Sequence, residues 1–217
     1  MPETFEHEVA QAWQGGLVIA VCGIDGAGKT TLIETLARTL EASGEAVHVT
    51  RQPTSFYRSL EPVRTYHDEG AGNIPAECLA LLSAADRSLH LAREVLPALL
   101  AGKTVISDRF VAAAAAIFET RGLSRSWIDE VNRFCPPPHG QILLDISGEE
   151  AVERIRQRGG YIRLEERSAS TLEAIRQNYL RQRQENCLVL DAQATPESIA
   201  EQARRYVISL SRQPVPA

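Results

Sequence analysis

The chain predicts an α/β fold in one domain, a five-stranded parallel sheet with helices on both faces. Three observations carry that prediction. Five short apolar runs alternate with longer stretches whose apolar residues recur at helical spacing. The first apolar run passes through a glycine-rich loop directly into the first of those helices. And 217 residues with 44% hydrophobic side chains suit one α/β domain with a full core of its own. Right-handed crossovers would gather the carboxyl ends of the strands along one edge, where ligands of such sheets sit.

Residues 1–16 read as a short polar N-terminal arm, forming at most a loose helix that ends at Gly15-Gly16. Glu3, Glu6 and Glu8, with no apolar stretch among them, read against a signal peptide. Residues 17–22 are an unbroken apolar run, as in a strand buried on both faces. Residues 31–40 carry Leu32, Ile33, Leu36, Ala37 and Leu40 at helical spacing, and Gly44 closes that helix. Residues 46–50 alternate as a strand. Residues 56–66 read as a helix broken by Pro62, and 67–75, with Gly70, Gly72 and Asn73, as a loop. A long helix spans 76–101, with Pro97 as a point for a kink. Strand three covers 104–107. An alanine-rich helix follows at 111–118 and another at 127–134, stopped by Pro136-Pro137-Pro138. Strand four is 141–146, then a helix at 149–157, a glycine-marked loop at 158–161 and a helix at 170–183. Strand five is 187–190, and Pro196 opens the last helix, to about 210. The single domain thus spans 17–211, with a lid at about 154–167 and a tail at 212–217.

Between strand one and the first helix, Gly23, Gly28, Lys29 and Thr30 fill the G-x-x-x-x-G-K-[ST] pattern of a phosphate-binding loop. Glycines let the backbone wrap near a phosphate with its N–H groups inward, and the helix N-terminus adds partial positive charge. Residues 23–31, including Asp25, Gly26, Ala27 and Thr31, therefore read as the binding loop of a three-layer P-loop NTPase fold. Lys29 would reach the β/γ-phosphates and Thr30 a Mg²⁺ ion. ATP and Mg²⁺ are the expected ligands.

The net charge of −5 argues against a protein that coats nucleic acid. Cys22, Cys78, Cys135 and Cys187 are scattered without a C-x-x-C pair, which reads against structural zinc and for a reducing cytoplasm. No apolar stretch reaches membrane-spanning length. The five histidines show no metal-like spacing, and no Asn-Lys-x-Asp for reading guanine occurs. Asp108, after strand three, can hold Mg²⁺ opposite Thr30, directly or through water, or else form a strand-end ion pair with Arg109. Asp86-Arg87 lies inside the long helix, where a solvated charged face is the ordinary expectation. Arg154, Arg156, Arg158, Arg163 and Arg167 flank Gly159-Gly160. A basic lid of this kind would stabilise transferring phosphoryl oxygens and exclude water; one or two of these arginines are expected to act so, the rest to be structural.

The ordered set of motifs resembles the thymidylate kinase family of nucleoside monophosphate kinases. It comprises 24–31, then Thr50-Arg51-Gln52-Pro53, then Ala84-Ala85-Asp86-Arg87-Ser88-Leu89-His90. Leu96-Pro97-Ala98-Leu99 with Gly102-Lys103, Val105-Ile106-Ser107-Asp108-Arg109-Phe110 and Leu190-Asp191-Ala192 before Pro196 complete it. The resemblance covers about 17–207. It implies transfer of ATP's γ-phosphoryl to a deoxynucleoside monophosphate, dTMP in the family reaction, in a cytoplasmic homodimer. Members with Gly at the place of Gly26 carry the catalytic arginine in the lid, which implies Arg158 and Arg163 here, beside Lys29 and Arg109. Asp25, Arg51, Ser83, Arg87 and Arg109 fall at acceptor-side positions, and Arg154 and Ala192 with the ATP.

The departures lie on the acceptor side. Ser83 stands where the family has a phenylalanine that stacks on thymine, Gln52 replaces a glutamate, and 111–118 replaces a polar segment. These changes predict an acceptor preference weakened or shifted from dTMP. Two alternatives stay open: a divergent kinase for another nucleotide, nucleoside or small molecule, and a silent nucleotide-binding protein. The alanine run has two readings of its own, packing inside the subunit or forming the dimer face.

Overall fold

The computed structural model describes residues 5–70, 74–159, 164 and 167–211. Its centre is a five-stranded, all-parallel sheet of order β2-β3-β1-β4-β5. The strands are β1 (Val18–Cys22), β2 (Val47–Arg51), β3 (Thr104–Asp108), β4 (Gly140–Asp145) and β5 (Cys187–Asp191). Every residue of β1 is buried, as its unbroken apolar run demands. β1 pairs with β3 (Val21↔Asp108) and with β4 (Cys22↔Leu143). The chain leaves β1 between two strands that run off to opposite sides, so a crevice opens at that carboxyl edge.

α1 (Phe5–Trp13) precedes the sheet and buries Val9 and Ala12 in the main core. Trp13 Nε1 donates to the Pro137 carbonyl at 3.0 Å, and His139 donates from Nε2 to the Trp13 carbonyl at 2.9 Å. α2 (Lys29–Ala42) buries Leu32, Ile33, Leu36, Ala37 and Leu40, the stripe expected from spacing. After β2 come α3 (Ser55–Ser59) and α4 (Glu61–Glu69). The break falls at Leu60, and Pro62 sits in the first turn of α4, where its missing N–H costs nothing. The helical chain runs to Glu69, past the start of the expected loop.

α5 (Ala76–His90) continues through a π-helical turn (Leu91–Val95) into α6 (Leu96–Leu100). Pro97 cannot donate and would crowd the carbonyl four residues back. The turn before it widens instead, with the Leu96 N–H bonded to the Leu91 carbonyl. The expected kink is thus a local change of helical pitch.

α7 (Val111–Thr120) and α8 (Arg125–Val131) follow β3; α9 (Gly148–Arg158), α10 (Ala169–Arg181) and α11 (Pro196–Ser211) complete the layers. α7 packs against α10, α8 and α5 within its own subunit, with Ala113, Ala114, Ala115 and Ala116 all buried. Asn178 of α10 donates to the Ala116 carbonyl at 3.0 Å. The intramolecular reading of the alanine run is therefore the one observed. None of the described helices is long and apolar enough to cross a membrane.

Candidate active site

The glycine loop joins β1 to α2 at the sheet's carboxyl edge. A Cβ at Gly23 would lie 2.7 Å from the Leu144 carbonyl oxygen, and one at Gly26 2.6 Å from that of Ala151. Only glycine lets the loop press against β4 and α9 so closely. Lys29 is buried and its Nζ donates to the carbonyls of Gly23 (3.1 Å) and Ile24 (2.9 Å), with Asp25 Oδ1 at 3.5 Å. Burial and then the neighbouring Arg109 pull the Lys29 pKa down, against Asp25 and Asp108.

Three chambers meet around this loop. The middle one, about 1200 Å³, runs along Gly26, Gly28, Lys29, Thr30 and Thr31. Arg51, Arg154 and Arg158 add cationic walls to it, with Asp25 and Asp108 as its carboxylates. A second, about 680 Å³, shares Gly28, Thr31 and Arg154 with it and is otherwise mostly apolar, with Leu144, Ala192, Pro196 and Ile199. Arg154 Nη2 donates to the Ala192 carbonyl at 3.0 Å across its mouth. A third, about 780 Å³, shares Asp25 and Arg109 with the first. Its walls combine Ser83, Arg87, Phe110, Ala114 and Phe118.

Arg109 stands between the first and third chambers. Its φ of 71° lies in the left-handed region, uncommon for a residue with a side chain and costing of order 1–3 kcal/mol. The guanidinium is fixed by Asp25 Oδ1 (2.6 Å), the Tyr179 hydroxyl (3.2 Å) and the Gly23 carbonyl (3.3 Å). Burial opposes its charge, but Asp25, Tyr179 and Asp108 outweigh it and raise the pKa. The alternative reading, an Asp108–Arg109 ion pair, is not what forms: Asp108 Oδ2 meets Arg51 Nη2 at 3.2 Å, while Oδ1 is buried without a hydrogen-bond partner. Asp108 lines the chamber that Thr30 also lines. A carboxylate oxygen and a hydroxyl suit Mg²⁺, which keeps several waters and takes few protein ligands. Among the described residues no group of three or more His, Cys, Asp or Glu side chains could hold a metal.

Asp86 and Arg87 correct the expectation of a solvated face: they are 2% and 3% exposed. Asp86 accepts from the Thr54 N–H and hydroxyl, bracing the turn after β2. Arg87 donates from Nε to Gln52 Oε1 at 2.9 Å and from Nη1 to Asn132 Oδ1. Ser83 is buried on the same helix, lining the third chamber.

Most residues singled out from sequence thus gather around the loop. Arg163 lies outside the described residues, as does Gly160. Sequence reasoning missed Tyr57, Arg58, His67 and Arg121, which also line the third chamber. They sit on α3, on α4 and just past α7, with no local motif to mark them. Phe110, the end of the motif after β3, and Ile117, within the alanine-rich helix, line it as well.

The thymidylate kinase family model matches residues 21–203. A probable thymidylate kinase of Pyrococcus abyssi is 35% identical over 191 residues, covering 86% of this chain and 93% of that protein. One of Pyrobaculum aerophilum is 37% identical over 186 residues, covering 84% and 91%. A thymidylate kinase of Xanthomonas oryzae pv. oryzae is 34% identical over 195 residues, covering 90% and 84%.

Proposed function

The chain belongs to the thymidylate kinase family, and from that membership we propose that it transfers the γ-phosphoryl group of ATP to dTMP. The observation that carries the reading is the continuity of three chambers around one phosphate loop: a mostly apolar one, a cationic one and an acceptor-sized one, with Arg109 at the last junction. The comparisons favour this over another acceptor or a silent nucleotide-binding protein. Ser83 leaves one wall of the acceptor chamber without an aromatic ring, but Phe110, Ile117 and Phe118 supply apolar surface around it.

Phosphoryl transfer asks the protein for position and charge rather than covalent chemistry. The loop N–H groups and Lys29 hold the β/γ-phosphates; Lys29, already desolvated, needs no further dehydration to do so. Arg154 and the Ala192 backbone bound the ATP base side. Arg158, at the end of α9, brings positive charge to the transferring group, and Arg163 is assigned the same task from sequence alone. Arg109, clamped by Asp25, meets the acceptor phosphate, while Arg51 keeps Asp108 in place. Ser83 and Arg87 face the acceptor's base, and Asp25 its sugar. Thr30 and Asp108 would hold Mg²⁺, which when bound neutralises charge on the phosphate oxygens. We assign the enzyme to a homodimer on family resemblance, and to a reducing cytoplasm because its four cysteines are all free.

Lys29→Ala tests the central assignment. Loss of a cationic transition-state contact costs roughly 100-fold or more in kcat. Burial of that ammonium is itself unfavourable, so the melting temperature is expected to hold. Wild-type turnover of ADP release in this variant would remove the basis of the reading.

A further inference from the structure

Arg87 can only donate hydrogen bonds, and that one-sidedness propagates through a chain of buried groups. Its Nε–H points to Gln52 Oε1 at 2.9 Å, so the other end of the amide, Nε2, faces His90 Nδ1 at 3.1 Å. An amide nitrogen has no lone pair to offer, so Nδ1 has to accept and the ring proton resides on Nε2. Nε2–H meets Thr50 Oγ1 at 2.7 Å, with Glu94 Oε2 at 3.3 Å. The Thr50 hydroxyl in turn bonds to Glu94, whose Oε1 meets His48 Nε2 at 3.0 Å. The π-helical turn before Pro97 carries Glu94 to this place, one turn beyond His90.

We propose that His90 is a positioning residue for acceptor recognition, its neutral, Nε2-protonated ring holding the Gln52 amide in the orientation that braces Arg87 at the acceptor chamber. Arg87 Nη2 has no partner among the described residues, and Arg87 and Gln52 both line that chamber. The proposal rests on reading the chamber as the dTMP site.

A second proton on His90 reverses the logic. Nδ1–H then faces the Gln52 NH₂ group, donor against donor. If the amide rotates to accept from His90, its NH₂ turns on Arg87 Nε–H instead. The donor–donor repulsion favours that rotation, in which Arg87 loses one of its two braces and keeps only Asn132. The surroundings of His90 set when this happens. Glu94 of the π turn and Asp86 of α5 favour the charged ring, His48 of β2 and Arg87 oppose it, and burial, the largest influence, holds the pKa below the usual histidine value. His90 is 4% exposed.

The first test is ¹⁵N NMR of the full chain without substrate, with histidine, glutamine and arginine side chains labelled, titrated from pH 8 downward. The expected result is an unprotonated Nδ1 at His90 near neutrality, with the Gln52 amide and Arg87 Nε–H signals moving in the same acid titration. The second is the pH profile of steady-state kinetics. The KM for dTMP is expected to rise roughly ten-fold through that titration, the size of losing one hydrogen bond to a charged group. The KM for ATP is expected not to follow it.

His90→Asn, whose oxygen can take the place of Nδ1 but cannot titrate, should flatten the dTMP profile. Gln52→Glu should flatten it too, since a carboxylate accepts from both Arg87 and a charged His90. The glutamate variant and the wild-type spectra keep the test open if His90→Asn does not fold. An Nδ1-protonated His90 at neutral pH, or an acid-side rise unchanged in the folded variants, would overturn the inference. Absence of turnover with dTMP overturns the functional reading alone, because the spectra need no substrate.

Discussion

Asp86 shows how much a single buried carboxylate organises here. It accepts two hydrogen bonds from Thr54, thirty-two positions away, and so ties α5 to the turn that carries Gln52. Asp86→Ala is expected to lower stability by about 2–3 kcal/mol, the usual scale for lost hydrogen bonds to a charged group. Urea denaturation measures it, and an unchanged midpoint would show that Asp86 braces nothing. Sequence could place Asp86-Arg87 on a helix but not reveal its burial, because the groups that satisfy the pair, Thr54, Gln52 and Asn132, come from other segments. The loop residues were different: Gly23, Gly28, Lys29 and Thr30 lie within eight positions of one another, so their spacing alone marked the loop. Arg109 lay between. Its place after β3 was legible, but not its clamp on Asp25 or its left-handed backbone.

α7 was legible as a helix, while its neighbours were not. Small residues permit close packing without saying against what, and the structure puts α10, α8 and α5 around it. Ala114 reaches the acceptor chamber, near Phe118 and Arg121. Ala114→Glu therefore tests the chamber rather than a subunit contact. The new carboxylate would compete with the acceptor's phosphate for the arginines there, raising the KM for dTMP roughly ten-fold or more, on the scale of one charged contact. The sedimentation coefficient should match that of the wild type. A shift in sedimentation with an unchanged KM would contradict this placement. The helix of 76–101 teaches a related point: Pro97 signalled a disturbance correctly, but the strain is relieved one turn earlier, at Leu91–Val95.

Across the whole molecule, the five strands and their parallel sense follow from apolar runs alternating with helices. Their spatial order does not, because periodicity says which face is buried and nothing about which strand lies beside which. The order β2-β3-β1-β4-β5 is what sets the loop at the crevice. Acid should loosen this assembly in two stages. Burial depresses His90 and His139, so the unfolded chain binds more protons than the native one once pH falls below about 6.5. Glu94 is also depressed, its hydrogen bonds from Thr50 and His48 outweighing burial, and Glu173 is depressed first by Gln177. Their contribution is present above the ordinary carboxylate range and disappears below it. Melting temperature should thus fall on acidification, first just below pH 6.5 and again below about pH 4.5; a rise between pH 7 and 5.5 would contradict the histidine assignments.

The central claim, that this site phosphorylates dTMP with ATP, meets its most direct test in steady-state ADP release with Mg²⁺ across acceptors. The panel is dTMP, dUMP, the other nucleoside monophosphates and the free nucleosides, each scored by kcat/KM. The account predicts dTMP as the best acceptor, with free nucleosides inactive because nothing then engages Arg109. A different acceptor clearly ahead of dTMP, or no turnover with any nucleotide, would contradict it.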